Sequence, residues 1–176
     1  MPDAIVGADR RGASCIGTNR HAIGITSMQR KPEIEQPLRG QIDALLELSA
    51  QKFRDGALAE SLALGLQAWD LIPEPKQGWD YYPQSLSSSF VQDYVDLNDK
   101  DNACKWIKVM ALMYDDPDHQ DHQVLMTEGE AMLQLGDETR ACAVFGKIHA
   151  LYGKRGFAGH QKRYLELYLK QPKTGA

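Results

Sequence analysis

From Pro37 onward, apolar residues in this chain recur at spacings of three and four. Leu38, Ile42, Leu45, Leu46, Leu48 and Phe53 mark one helical face. It ends at Arg54-Asp55-Gly56, where the glycine suits the left-handed residue that closes a helix. Leu58, Leu62, Leu66, Trp69, Leu71 and Ile72 mark a second face, stopped by Pro73 and Pro75, whose rings cannot continue a helix. With almost no linker between them, these two helices must lie antiparallel. The arrangement returns twice. Phe90, Val91, Tyr94, Val95 and Leu97 run into Asn98-Asp99-Lys100-Asp101, and Ala103, Trp106, Ile107, Met110 and Met113 follow up to Pro117. Val124, Leu125, Met132, Leu133 and Leu135 lead to Gly136-Asp137, then Ala141, Val144, Phe145, Ile148, Leu151 and Tyr152 lead to Gly153. Three helical pairs in succession make a repeat. Tyr164, Leu165, Leu167, Tyr168 and Leu169 have no partner helix and predict a cap over the open face of the last pair. No alternating run competes, and residues 78–89 read as a turn-rich insert. The predicted fold class is all-α.

Composition adds the size of the core and the sign of the surface. A chain of 176 residues, 43% hydrophobic, hides roughly 70% of its unfolded surface and needs no staples. Cys15, Cys104 and Cys142 are odd in number and widely spaced, which encodes neither a disulfide framework nor a zinc knuckle. No run approaches a membrane span, and residues 1–27 lack the apolar stretch of a signal peptide. The expected compartment is therefore the cytoplasm. Residues 1–33 carry Gly7, Gly12, Gly17 and Gly24 without periodicity, and are expected to be a disordered arm or an over-long gene start with translation beginning at Met28. The domain is expected over residues 34–170, with 171–176 a flexible tail.

The net charge of −4 conceals an asymmetry. Residues 34–153 hold nine basic and twenty acidic residues, whereas residues 154–176 hold six basic residues against Glu166 alone. So acidic a body repels a phosphate backbone, which argues against a nucleic-acid partner and for a basic protein surface.

The third pair resembles a tetratricopeptide repeat. Leu125, Gly129, Met132, Ala141, Phe145 and Ile148 stand at the offsets of that repeat, with Gly136 at the turn. Glu128 stands where the repeat usually has Leu. The first pair matches through Gly56, Ser61, Ala68 and Pro73, and the second through Tyr94, Ala103 and Ile107. Ala68-Trp69-Asp70-Leu71-Ile72-Pro73-Glu74-Pro75-Lys76 with Trp79, and Tyr152-Gly153-Lys154-Arg155-Gly156-Phe157 with Tyr164-Leu165, resemble small bacterial tetratricopeptide proteins that act as immunity proteins beside polymorphic toxins. The resemblance covers about residues 37–170. It implies a right-handed stack of three antiparallel helix pairs with a C-terminal capping helix, no cofactor and no catalysis. It also implies tight binding of a cognate effector, often a type VI secretion toxin. A type III secretion chaperone of the same repeat class is the nearest alternative.

In such stacks the first helix of each pair lines a groove. That register places Asp43, Leu46, Ala50, Phe53 and Arg54 in it, then Ser85, Ser88, Gln92, Val95 and Asp96, then Gln123, Met126, Glu130, Leu133 and Gln134. Trp79, Tyr81 and Tyr82 in the insert are candidate aromatic anchors for a partner. Asp115-Asp116-Pro117-Asp118-His119-Gln120-Asp121-His122 carries two histidines three apart among four carboxylates, the pattern of a metal-dependent enzyme site. Pro117 and the nearness of the next helix favour a different use, with Asp118 or Asp121 capping free amides. Motifs of serine hydrolases, phosphate-binding loops and zinc proteases are absent from the sequence.

Overall fold

The computed structural model describes residues 30–171, and among them it contains helices and no strand. Helices α1 (Leu38–Arg54) and α2 (Leu58–Leu71) meet across Gly56, whose φ of 78° is the left-handed conformation expected of a helix-closing glycine. Ser49 Oγ donates to the Ser61 carbonyl at 2.8 Å and Ser61 Oγ to the Ser49 carbonyl at 2.9 Å, so small reciprocal side chains hold this pair close. Helices α3 (Tyr82–Asp96) and α4 (Lys100–Met113) form the second pair. Helices α5 (His122–Gln134) and α6 (Glu138–Tyr152) form the third. The short helix α7 (Lys162–Lys170) packs on α6 as the periodicity predicts for a cap.

Acidic residues begin three of these helices. The Asp99, Asp121 and Asp137 carboxylates accept backbone N–H groups of the first turns of α4, α5 and α6, satisfying amides that have no partner inside the helix.

The pairs stack in chain order, α2 against α3, then α3 and α4 against α5. One core gathers Ile42, Leu62, Ala68, Ile72, Leu86 and Phe90 between the first two pairs. A second gathers Ala103, Ile107, Leu125, Met132, Phe145 and Ile148. Trp106 touches both, and its ring meets Trp69 at 5.1 Å and Phe90 at 4.5 Å edge to face. Each core also has a glycine facing an aromatic ring. A Cβ on Gly65 would stand 2.8 Å from Phe90, and one on Gly129 within 3.0 Å of several Phe145 ring atoms.

Two expectations change. Residues 82–89 are helical, the first half of α3. A serine-rich sequence has low helical propensity, but Pro83 is suited to a helix start, Ser87 Oγ folds back onto the Pro83 carbonyl at 2.6 Å, and Leu86 and Phe90 share a buried face. The expected arm at residues 1–33 lies outside the described residues up to position 29. Its last residues are anchored: Arg30 pairs with Asp80 at 3.3 Å, Lys31 with Asp115 at 2.6 Å, and the Pro32 carbonyl accepts from the Asp80 amide at 2.9 Å. Of the tail expected over 171–176, Gln171 donates from Nε2 to Glu138 Oε1 at 2.9 Å, and the rest lies outside the described residues.

Candidate functional site

Of the three candidate aromatics, only Tyr81 presents its ring to solvent. It is 65% exposed, whereas Tyr82 is 6% exposed. Trp79 is half-buried against the first core and donates its indole N–H to the Pro73 carbonyl at 2.9 Å. Trp79 and Tyr82 are therefore packing residues, a correction to their reading as anchors.

Tyr81 sits in an unusual backbone. Its φ of 67° and ψ of −71°, with the Tyr82 amide donating to the Asp80 carbonyl at 2.9 Å, make a three-residue turn that is rare and strained for a residue with a side chain. Asp80 holds that turn, its Oδ1 accepting the Tyr81 amide at 2.9 Å. The Tyr82 ring stacks edge-on against Tyr81 at 5.1 Å, and its hydroxyl donates to Asp43 Oδ1 at 2.5 Å. Burial, with Asp43 beside it, holds the Tyr82 phenol above its ordinary value. Depressions of about 490 Å³ and 510 Å³ flank Tyr81, one lined by Arg39, Asp43 and Asp80, the other by Gln84, Ser85 and Ser88. Gln84 Oε1 is buried there without a hydrogen-bond partner, a second local cost at the same place.

The expected groove lining divides. Gln92 is exposed and donates from Nε2 to Asp96 Oδ1 at 2.7 Å and to Gln134 Oε1 at 3.2 Å, so α3 and α5 present polar side chains to one another. The Tyr82 to Asp43 bond links α1 to the first residue of α3. Asp43, Phe53, Arg54, Asp96 and Gln123 are exposed, with Ser88 and Glu130 half-buried. Met126 is 2% exposed in the second core, so it offers nothing to a partner, and Leu46 is half-buried against the first core. The periodicity permits either face for Met126; the closeness of α3 and α4 to α5 buries it.

The acidic segment after α4 does not converge on a metal. Among the described residues no group of three or more His, Cys, Asp or Glu side chains is placed to hold an ion. Four of its residues have separate uses. Asp115 pairs with Lys31, and Asp116 accepts the Gln120 and Asp121 amides at 2.7 and 3.0 Å. Asp121 caps α5 through the Gln123 and Val124 amides, while His122 Nε2 meets the Gly156 carbonyl at 2.8 Å.

His119 is turned elsewhere, onto a cluster the sequence reading did not assemble. Its φ of 54° points Nε2 at Glu128 Oε2, 2.5 Å away. Glu128 is 5% exposed and its other oxygen accepts Arg140 Nε at 2.9 Å and Nη2 at 2.6 Å. Arg140 Nη1 reaches Cys104 Sγ at 3.1 Å. Burial works against the Arg140 charge, but Glu128 and Cys104 outweigh it and hold the guanidinium above its ordinary value. His119, Glu128 and Arg140 line a cavity of about 750 Å³ beside α4. The signal was present in the sequence as a charged residue, Glu128, between Leu125 and Met132 of one apolar helical face.

No family model, curated protein or solved structure matches the chain. Among the described residues, no helix is long and apolar enough to cross a membrane.

Proposed function

We propose that this chain is a non-catalytic protein-binding module whose contact surface centres on Tyr81. The observation that carries the reading is a largely exposed aromatic ring held in a strained backbone between two depressions. Folded proteins keep such strain where the surrounding structure enforces it, most often at binding sites. Aromatic side chains of this kind supply much of the energy of an interface when a partner pocket covers them. The helix pairs form a right-handed tetratricopeptide-like stack in this proposal, and the exposed Asp43, Gln92 and Asp96 line the groove that receives a basic segment of the partner.

Within that class, the resemblance to tetratricopeptide immunity proteins and the acidity of residues 34–153 favour a toxin as the partner, which the protein occupies or occludes. The test is co-expression with the product of the adjacent gene. A stable complex and rescue of growth are expected, both weakened by Tyr81→Ala. If neither a complex nor rescue appears, the immunity reading is lost.

A further inference from the structure

The cavity beside α4 shares no lining residue with the depressions around Tyr81, and its polar groups are unevenly spent. Every carboxylate in its wall is committed. Glu128 accepts from Arg140 and His119, Asp116 accepts two backbone amides, and Asp115 pairs with Lys31. The cations are not. Lys108 has no ion pair among the described residues, and Arg140 makes one contact through each Nη, which leaves each Nη an unused N–H. The N–H donors left free in the wall therefore sit on positive groups, and an anionic acceptor placed between Lys108 and Arg140 would satisfy them.

The rest of the wall is apolar. Ile107, Ala111 and Leu112 run along one side of α4, and Pro117 faces the cavity from the following loop. Leu112 is 57% exposed, a large apolar side chain with no cover among the described residues. From Lys108 to Leu112 a helix rises roughly 6 Å, the length of a short alkyl chain. The volume falls within the range of roughly 300–1,000 Å³ typical of small-molecule sites.

We propose that this cavity binds a medium-chain carboxylic acid, its carboxylate held by Lys108 and the free N–H groups of Arg140 and its alkyl body laid along Ala111 and Leu112. Glu128 and His119 act as positioning residues, fixing the guanidinium so that its remaining donors face the cavity. A carboxylate suits this site better than a phosphate. It is planar and singly charged, matching a guanidinium edge, whereas a dianion beside Glu128 and Asp116 meets stronger repulsion.

The experiment uses the full chain with octanoate, octanol and octyl phosphate as probes, with affinity from calorimetry and location from amide chemical shifts. Octanoate is expected to bind saturably, with shifts centred on Ala111, Leu112 and His119, and octanol and octyl phosphate about tenfold or more weaker. Lys108→Ala is expected to weaken octanoate about fivefold, and Leu112→Glu to abolish binding. Both positions are exposed, so unchanged melting of these variants separates loss of the site from loss of the fold. Equal binding of octanoate and octanol, tighter binding of octyl phosphate, an unaffected Lys108→Ala variant, or no saturable binding below roughly 1 mM each overturns the proposal. None of these outcomes bears on the partner surface at Tyr81.

Discussion

Arg140 gives two N–H groups, from Nε at 2.9 Å and Nη2 at 2.6 Å, to a single carboxylate oxygen of Glu128. The pair ties α5 to the first turn of α6. Burying two charges gains little over a hydrophobic contact of the same shape, but removing one partner leaves the other poorly solvated. Glu128→Ala is therefore expected to cost about 2–3 kcal/mol in urea unfolding, below the range for a wholly buried pair because the Arg140 side chain is 38% exposed. The double variant Glu128→Leu with Arg140→Met is expected to recover most of that loss. If the double variant is as unstable as the single one, the pair contributes more than charge compensation.

Asp93 on α3 gives the fold a pH dependence. Burial, with the nearby Asp96 charge adding to it, raises its carboxyl from an ordinary 3.8 to about 6. Between those values the folded protein holds a proton that the unfolded chain releases, so stability falls as pH rises from about 4 to about 6 and stays at the lower level above it. Asp93→Asn is expected to raise stability at pH 7 by about 1–2 kcal/mol, a figure discounted for the carboxylate's partial access to water, and to flatten the profile across that window. Melting temperatures of the two proteins from pH 4 to pH 8 check both the sign and the window.

The helix pairs were legible in the sequence because each buries one face, and a period of 3.6 survives almost any surface decoration. Gly56, Gly136 and the prolines after α2 marked ends correctly for the same reason, since they act locally. The start of α3 was not legible, because Ser85, Ser87, Ser88 and Ser89 weaken the local preference and the helix is secured by Leu86 and Phe90 packing against α1 and α2. The site was less legible still. Tyr81, Tyr82 and Trp79 are three similar residues in one short stretch, and only the turn at Asp80 decides which ring faces water. His119, Glu128 and Arg140 come from a loop and two helices, and no spacing rule joins residues whose meeting depends on how α5 packs on α6 and on how the preceding loop folds back over them.

The acidic segment before α5 makes a test of capping against metal binding. Asp121 accepts both the Gln123 and the Val124 amides at the helix start. Asp121→Ala is expected to lower stability by about 1 kcal/mol, and Asp121→Asn, which can still accept, by much less. Addition of zinc or of a chelator is expected to leave the melting temperature unchanged. A metal-dependent rise in melting temperature that Asp121→Asn removed would restore the metal reading.

Close approach of α5 and α6 depends on Gly129, because any Cβ there would press on the Phe145 ring, itself wholly buried. Alanine is the better helix former by about 1 kcal/mol, yet overpacking a dense core costs typically 1–3 kcal/mol. Gly129→Ala is expected to destabilise the protein by about 1–2 kcal/mol, and Phe145→Leu introduced with it to restore part of the loss. Thermal unfolding of the two single variants and the double one gives the coupling directly.

Tyr81 allows strain and binding to be separated, since two substitutions remove the ring but treat the backbone differently. Glycine adopts a φ of 67° without a steric cost, while alanine retains the strain that tyrosine carries. Both lose the contact with the Tyr82 ring, worth about 1 kcal/mol. Tyr81→Gly is therefore expected to leave stability within about 1 kcal/mol of the parent, because relief of strain offsets the lost contact, and Tyr81→Ala to fall below it. Affinity for the partner should drop at least about tenfold in both, since an exposed aromatic covered at an interface commonly carries 1–2 kcal/mol or more. Equal loss of binding with unequal stability assigns the ring to recognition. Retained binding in either variant would move the contact surface away from this turn.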